Sequence, residues 1–495
     1  MKNKKLTISI IITLLYGIIT LISVLHHEIW ADEAQVWMLC KNLSIPELIN
    51  HLHNEGHPSL FYIIVMPFAK IFPNIIYMQL ICWFAMCYAV FLLIYKSPFN
   101  LIIKFSVLIS AGFIYFLPVM ARSYSILPSL IFLATLLYLK RKEHPILYAT
   151  ILFCIANTHI MMLGFVGILS LFYIIECIKA KNIKRIQLIS ITIMIFGILA
   201  VILQLHNTTS SNVFINFSFN NIIFNIIRVI TLFFVNSYNY EISMKNSFIF
   251  PIIDIPIIFG IFISFITLLI NLFFNNKKLF LIAFIGIGFQ FAIYILAYNS
   301  FIYVTRIFIA YIILLACFWI LYKENKFNNK YKICSKNVST FFLTCLFLLT
   351  TYNGINYYLS DLKYDYAGAK KAAEFIQKNI DKDSLLLIDN EPYMVSLVYY
   401  LQDSHNLFSP YRNKNIKYVV WDPLTIVNTI AEQWIYYIKT NNLQDTKKDI
   451  YIIRSNSEEN FYSIEKDNNK NFHKIYSTKY IIEGLEGYII YKYIE

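Results

Sequence analysis

Charge is scarce in this chain: 14% of its 495 residues are Asp, Glu, Lys or Arg, 58% are hydrophobic, and the mean hydropathy is +0.58. That balance excludes an ordinary soluble protein and indicates a polytopic membrane protein. Patterned cysteine is lacking too. The eight cysteines scatter mainly through apolar segments and none follows Cys345, which excludes a disulfide framework and metal-type cysteine spacing. No small-residue cleavage site follows the apolar run Leu6 to Leu25, so that run reads as a retained first transmembrane helix and not as a secretory leader. A glycine-rich phosphate loop is also missing, and with it any indication of nucleotide binding.

What the chain does have is an excess of basic residues, a net charge of +13. These fall largely in short loops between apolar runs, where cytoplasmic Lys and Arg set orientation, so nucleic acid is not implied as a partner. Lys140-Arg141-Lys142, Lys179 to Arg185, Lys277-Lys278 and Lys323 to Lys332 read as cytoplasmic, together with the N-terminus. Between them, 145–179 forms two spans, and further spans run over 187–205, 250–274, 279–298, 302–322 and 338–357. A long outer loop, 206–247, carries an interfacial helix over 217–235 with Arg228 in it. The run 75–95 is another span, and 59–72 reads as a short or re-entrant helix. The expected fold is thus a polytopic α-helical membrane protein of about eleven spans, within a range of about nine to thirteen. It comprises a transmembrane domain, 1–358, and an extracytoplasmic α/β domain, 359–495. In the latter, helices are expected over 366–379, 391–401 and about 426–439, with strands over 384–389, 417–421, 449–453 and 488–493, forming a layered open sheet.

The outer loop 26–58 opens with HHEIWADEAQVWMLCK, which sets Asp32 and Glu33 between Trp30 and Trp37 at the mouth of a membrane helix. On a helix adjacent carboxylates diverge by about 100°, so the two need not share a ligand. One could serve as a general base while the other orients a neighbour; both also suit the N-terminus of an interfacial helix. The loop ends in Glu55-Gly56-His57-Pro58-Ser59-Leu60, a turn that places His57 at the next helix mouth. Arg122 and Tyr124, His159 and Arg306 stand near the ends of other apolar runs. Ionisable groups at membrane level mark function when they face a cavity, although Arg also snorkels to headgroups. Two fixed guanidinium groups suit a phosphate or pyrophosphate.

Asp-Glu after the first span, Gly-His-Pro-Ser-Leu at the next helix and a later Ala-Arg-Ser-Tyr resemble the family 39 glycosyltransferases of the GT-C fold. That group includes protein O-mannosyltransferases and lipid A aminoarabinose transferases; the likeness is greatest to bacterial members with a Trp-Ala-Asp-Glu-Ala-Gln loop and an extracytoplasmic α/β domain. The resemblance implies an enzyme of the bacterial cell membrane. It would move a sugar from a polyprenyl-phosphate donor to a glycan, lipid or protein acceptor of the cell envelope on the outer face, with inversion. Asp32 would be the base and Glu33 an orienting or metal-contacting partner, while Glu55, His57, Arg122, Tyr124, His159 and Arg306 would bind substrate. A divalent metal on Asp32, Glu33 and His57 stays open. Ser59 replaces a second proline found in many relatives, and Ser123-Tyr124 stands where some carry an acid after the Arg. The competing readings are a transporter or flippase of lipid-linked or amphiphilic cargo, which would show internal repeats that the chain lacks, and a non-catalytic envelope scaffold.

Overall fold

The computed structural model describes residues 2–180, 183–206, 219–238, 254–297, 303–327, 332–388, 390–402, 404–422, 431–446, 448–455, 470–479, 481–482 and 486–494. Among them, eight helices are long and apolar enough to cross a membrane: Asn3–His26, Ile76–Lys96, Ile160–Lys179, Arg185–Gln204, Ile255–Asn275, Lys277–Leu296, Val304–Glu324 and Lys336–Lys363. A ninth is added if Leu101–Ile109 and Gly112–Val119, bent by 57° at their junction, count as one broken span. Of the two spans expected over 145–179, the first forms the shorter helix Pro145–Ala156. Twelve residues give an axial length of about 18 Å, well short of a hydrocarbon layer about 30 Å thick. Leu60–Ile71 is likewise 12 residues long, in keeping with the short helix expected over 59–72.

Helix Val304–Glu324 runs through the middle of the bundle, and every residue from Val304 to Tyr322 is buried. A helix apolar all round with no exposed face has to be surrounded by others. Most of the remaining long helices keep exposed Ile, Leu and Phe on one side, the surface expected of elements facing lipid. Of the segment 206–247, the described part is helix Phe219–Tyr238, which seats Phe233 against Phe265, Phe291 and Tyr311; 207–218 and 239–247 lie outside the described residues.

The first helix, α1 (Lys2–His26), leads into α2 (Ala31–Asn42), α3 (Ile45–Glu55) and α4 (Leu60–Ile71). Gly56 ends α3 in the left-handed conformation, φ 68°, where a side chain is strained. The C-terminal region forms a six-stranded sheet of β1 (Leu385–Ile388), β2 (Leu407–Ser409), β3 (Lys414–Asn415), β4 (Ile450–Ser455), β5 (Phe472–Ser477) and β6 (Tyr488–Tyr493). Its order is β3-β2-β1-β4-β6-β5. β1 pairs in parallel with β2 and β4, and the other pairs are antiparallel.

Helix Glu391–Leu401 and β6 fall where the sequence pattern puts them, and helix Ala431–Thr440 covers the described end of the run over 426–439. The strand expected over 417–421 is a correction. The backbone there is not in the sheet, because Val419 is hydrogen-bonded on both sides to the Gln35 side chain, donating to Oε1 at 2.8 Å and accepting from Nε2 at 2.9 Å. An amide side chain has taken the place of a neighbouring strand.

Candidate functional site

The site begins at the first turn of α2. Trp30, the residue before it, is extended and carries no side-chain acceptor, so the free backbone donors of the turn need partners from elsewhere. Glu33, at the third helical position, reaches back to the Trp30 amide at 3.5 Å. Glu486, from the segment leading into β6, accepts from the Ala31 amide at 2.6 Å. The C-terminal region therefore caps the helix that carries the acid pair.

The helical step sends the two acids in different directions. The Glu33 side chain is fully buried. Its Oε1 accepts from the Ala121 amide at 2.5 Å, and its Oε2 stands 3.5 Å from His27 Nε2. His27 Nδ1 donates to Asp361 Oδ2 at 2.9 Å, and the Tyr115 hydroxyl donates to the same oxygen at 3.0 Å. Burial alone would discharge His27, but the carboxylates of Asp361 and Glu33 outweigh it and lift its pKa to about 10.

Asp32 keeps 28% of its side chain exposed and turns toward Arg122, with Oδ2 3.5 Å from Nη2. Arg122 Nη1 also donates to the Asp32 carbonyl, and Nη2 lies 3.2 Å from His57 Nε2. Burial works against the Arg122 charge, yet Asp32 and its neighbours hold it firmly protonated. A guanidinium only donates, so His57 Nε2 is the acceptor and the ring proton sits on Nδ1. His159, its ring 4.8 Å from that of His57, accepts from the Met161 amide at Nδ1, which puts its proton on Nε2. Burial and the positive charges of Arg122 and Arg306 push both imidazoles well below their ordinary pKa, so both are neutral.

The outcome is a surface of donors without acceptors. Among the described residues, His57 Nδ1, His159 Nε2, Arg122 Nε and the hydroxyls of Tyr62 and Ser123 are buried without a hydrogen-bond partner. Arg306, in the first turn of the central helix, lies over the Tyr303 ring at 4.8 Å, and its charge reaches both histidines. Tyr124 is buried with its ring 6.2 Å from His159. Glu55 stands at the rim, accepting from Gln35 Nε2 at 2.7 Å and paired with His51 at 3.1 Å. Buried polar groups are usually met by a partner, and a ligand that supplies oxygen acceptors would suit this group of donors.

The residues singled out in the sequence thus converge, with different tasks. Asp32, His57, Arg122, Tyr124, His159 and Arg306 surround one locus, Glu55 flanks it, and Glu33 lies behind it with its oxygens taken up by backbone and His27. A cation does not fit among Asp32, Glu33 and His57, because Arg122 occupies the space between Asp32 and His57. Among the described residues, no three His, Cys, Asp or Glu side chains converge as metal ligands. Sequence reasoning missed His27, Asp361, Glu486, Gln35 and Tyr62. Tyr62 carried a signal, a hydroxyl one turn inside the apolar helix after His57-Pro58. The others carried none: His27 and Asp361 are 334 positions apart. No family model matches the chain, and no curated protein matches it either.

Proposed function

We propose that this chain is a membrane glycosyltransferase that moves a sugar from a polyprenyl-phosphate donor to a cell-envelope acceptor. The observation that carries the reading is the group of unmet donors around Arg122, namely its own Nε, the N–H groups of two neutral imidazoles and the Tyr62 hydroxyl, with the positive charge of Arg306 nearby. A phosphate brings the oxygens these groups need and tolerates the adjoining positive charge. Asp32, beside that surface, keeps 28% of its side chain exposed, against 6% for Glu55 at the rim.

In the proposed reaction the acceptor hydroxyl attacks the anomeric carbon as its proton passes to Asp32. The carbon–oxygen bond to phosphate breaks, and the lipid phosphate leaves with the electron pair, giving inversion. Arg122, Arg306, His57 and His159 offset the negative charge that gathers on the leaving oxygen, and they do so most effectively where water is largely excluded. Glu33 orients the turn and takes no part in proton transfer. The groups of the locus stand at helix ends: His57 before α4, Arg122 at a break between helices, His159 between two helices and Arg306 in a first turn. A transporter reading predicts internal repeats instead, which the sequence lacks. The N-terminus on the cytoplasmic side and the C-terminal domain outside complete the reading, which places the donor phosphate at the outer leaflet of the bacterial cell membrane.

The test is transfer from a polyprenyl-phosphate sugar by the purified protein in vesicles. Asp32→Asn keeps the fold and lowers transfer about a hundredfold or more; a variant that transfers at the wild-type rate removes Asp32 from the chemistry. Mass spectrometry of envelope glycans with and without the protein identifies the sugar.

A further inference from the structure

Behind the donor-only surface lies a second polar chain that touches none of its unmet donors. It joins four parts of the fold: Tyr115 in the broken helix, Asp361 near the end of helix Thr351–Lys363, His27 just after α1 and Glu33 in α2. The side chains of His27, Glu33 and Asp361 are no more than 1% exposed. The chain ends on a backbone group, since Glu33 accepts from the amide of Ala121, the residue before Arg122. That amide is free to donate because the helix stops at Val119 and Met120 is extended.

We propose that His27 is a positioning residue: held between Glu33 and Asp361, it fixes the peptide at Ala121 and so sets Arg122 against Asp32. A buried carboxylate needs a cation beside it, and His27 is the basic group in contact with Glu33. Without it Glu33 is stranded, and the carboxylate recovers partners only by moving, which carries the 120–122 turn with it. The other groups facing His27 are the Tyr366 ring, 4.4 Å away, and Glu28, one residue along; neither replaces its two-sided contact. The geometric role is independent of the proposed reaction, and only its consequence for phosphate binding rests on that reading.

The experiment is hydrogen–deuterium exchange with mass spectrometry on the full chain in detergent micelles. In His27→Gln, exchange over 119–124 and 29–34 rises about tenfold or more while helix Val304–Glu324 keeps its protection. The double variant His27→Gln/Glu33→Gln, which removes the charge beside Ala121, leaves Asp361 the Tyr115 hydroxyl and retains an acceptor for the Ala121 amide, returns most of that protection. Unchanged exchange over 119–124 in His27→Gln overturns the proposal. So does a rise spread evenly through the chain, or a double variant no better than the single one. Farnesyl phosphate titrated in parallel separates the two readings. Binding by wild type and about fivefold weaker binding by His27→Gln support both. A wild type that fails to bind it sinks the phosphate reading, and the exchange result still decides the role of His27.

Discussion

Glu28 offers a quantitative test of how tightly the acid-bearing loop is held to the C-terminal region. Its side chain is buried, with Oε1 accepting from the Lys370 amide at 2.7 Å. Burial raises its pKa from an ordinary 4.5 to about 7, and Asp365 adds to the rise, while the Lys370 hydrogen bond and His27 oppose it. Because the folded state binds this proton more tightly than the unfolded chain, the stabilisation is complete below about pH 4.5 and is lost as the pH climbs through about 7. At about 1.4 kcal/mol per tenfold change in proton affinity, the loss is about 3 kcal/mol. Glu28→Gln mimics the protonated acid: it keeps the acceptor for Lys370 and cannot ionise. The variant therefore matches wild type near pH 4.5 and exceeds it by up to about 3 kcal/mol at pH 8, a few degrees in melting temperature. Melting in detergent, followed by intrinsic fluorescence at both pH values, measures the difference. His27 also loses stabilisation as the pH rises, between about 6.5 and about 10, but it does so in both proteins, so the double difference isolates Glu28. An offset between the two proteins that is the same at pH 4.5 and pH 8 refutes the argument, because it means that Glu28 ionises at its ordinary pKa.

Two further substitutions test contacts between distant elements. At Gly354 an added Cβ would lie 2.4 Å from Ala111 Cα and 2.7 Å from Ile114 Cγ2; Gly354→Ala must push two helices apart at about 1–3 kcal/mol, read as a lower melting temperature, and an unchanged one rules out the close approach. Gln35→Ala strands both backbone groups of Val419 and removes a donor to Glu55. It costs about 2–3 kcal/mol and opens 416–421 to protease, so a segment cut no faster than in wild type contradicts the clamp.

Much of the architecture was legible because it is local. Long apolar runs gave the helices that could span a membrane, and Glu391–Leu401 and Tyr488–Tyr493 announced themselves by periodicity and turn residues. The misreading over 417–421 has a physical cause: Tyr418-Val419-Val420-Trp421 is strand-like in composition, but its ladder partner is one side chain 384 positions away. Strand β5, Phe472–Ser477, escaped notice because His473 and Lys474 are exposed near the sheet edge and blur the apolar alternation. At the site, the residue types and their places at helix ends were legible. Which acid turns toward Arg122 was not, since the rotation of α2 about its axis is set by Glu486, Val419 and His27, all tertiary partners.

That rotation explains why two adjacent acids stand at this point. Trp30, Ala31 and Ala121 each present a backbone amide that no helix of their own satisfies, two at the start of α2 and one where the broken helix ends. Glu33 accepts from Trp30 and Ala121, and Glu486 accepts from Ala31. Burying Glu33 for that task requires a cation, and His27 with Asp361 behind it meets the need inside the protein without drawing on Arg122. Arg122 is thereby left to Asp32, gripped through its guanidinium by one acid and through the preceding peptide by the other. Neighbouring positions on α2 diverge by about 100°, so the two acids hold the turn at two separate points. Three segments distant in sequence can then present Arg122, His57 and Asp32 in one fixed arrangement, the preorganisation that the proposed transfer would depend on.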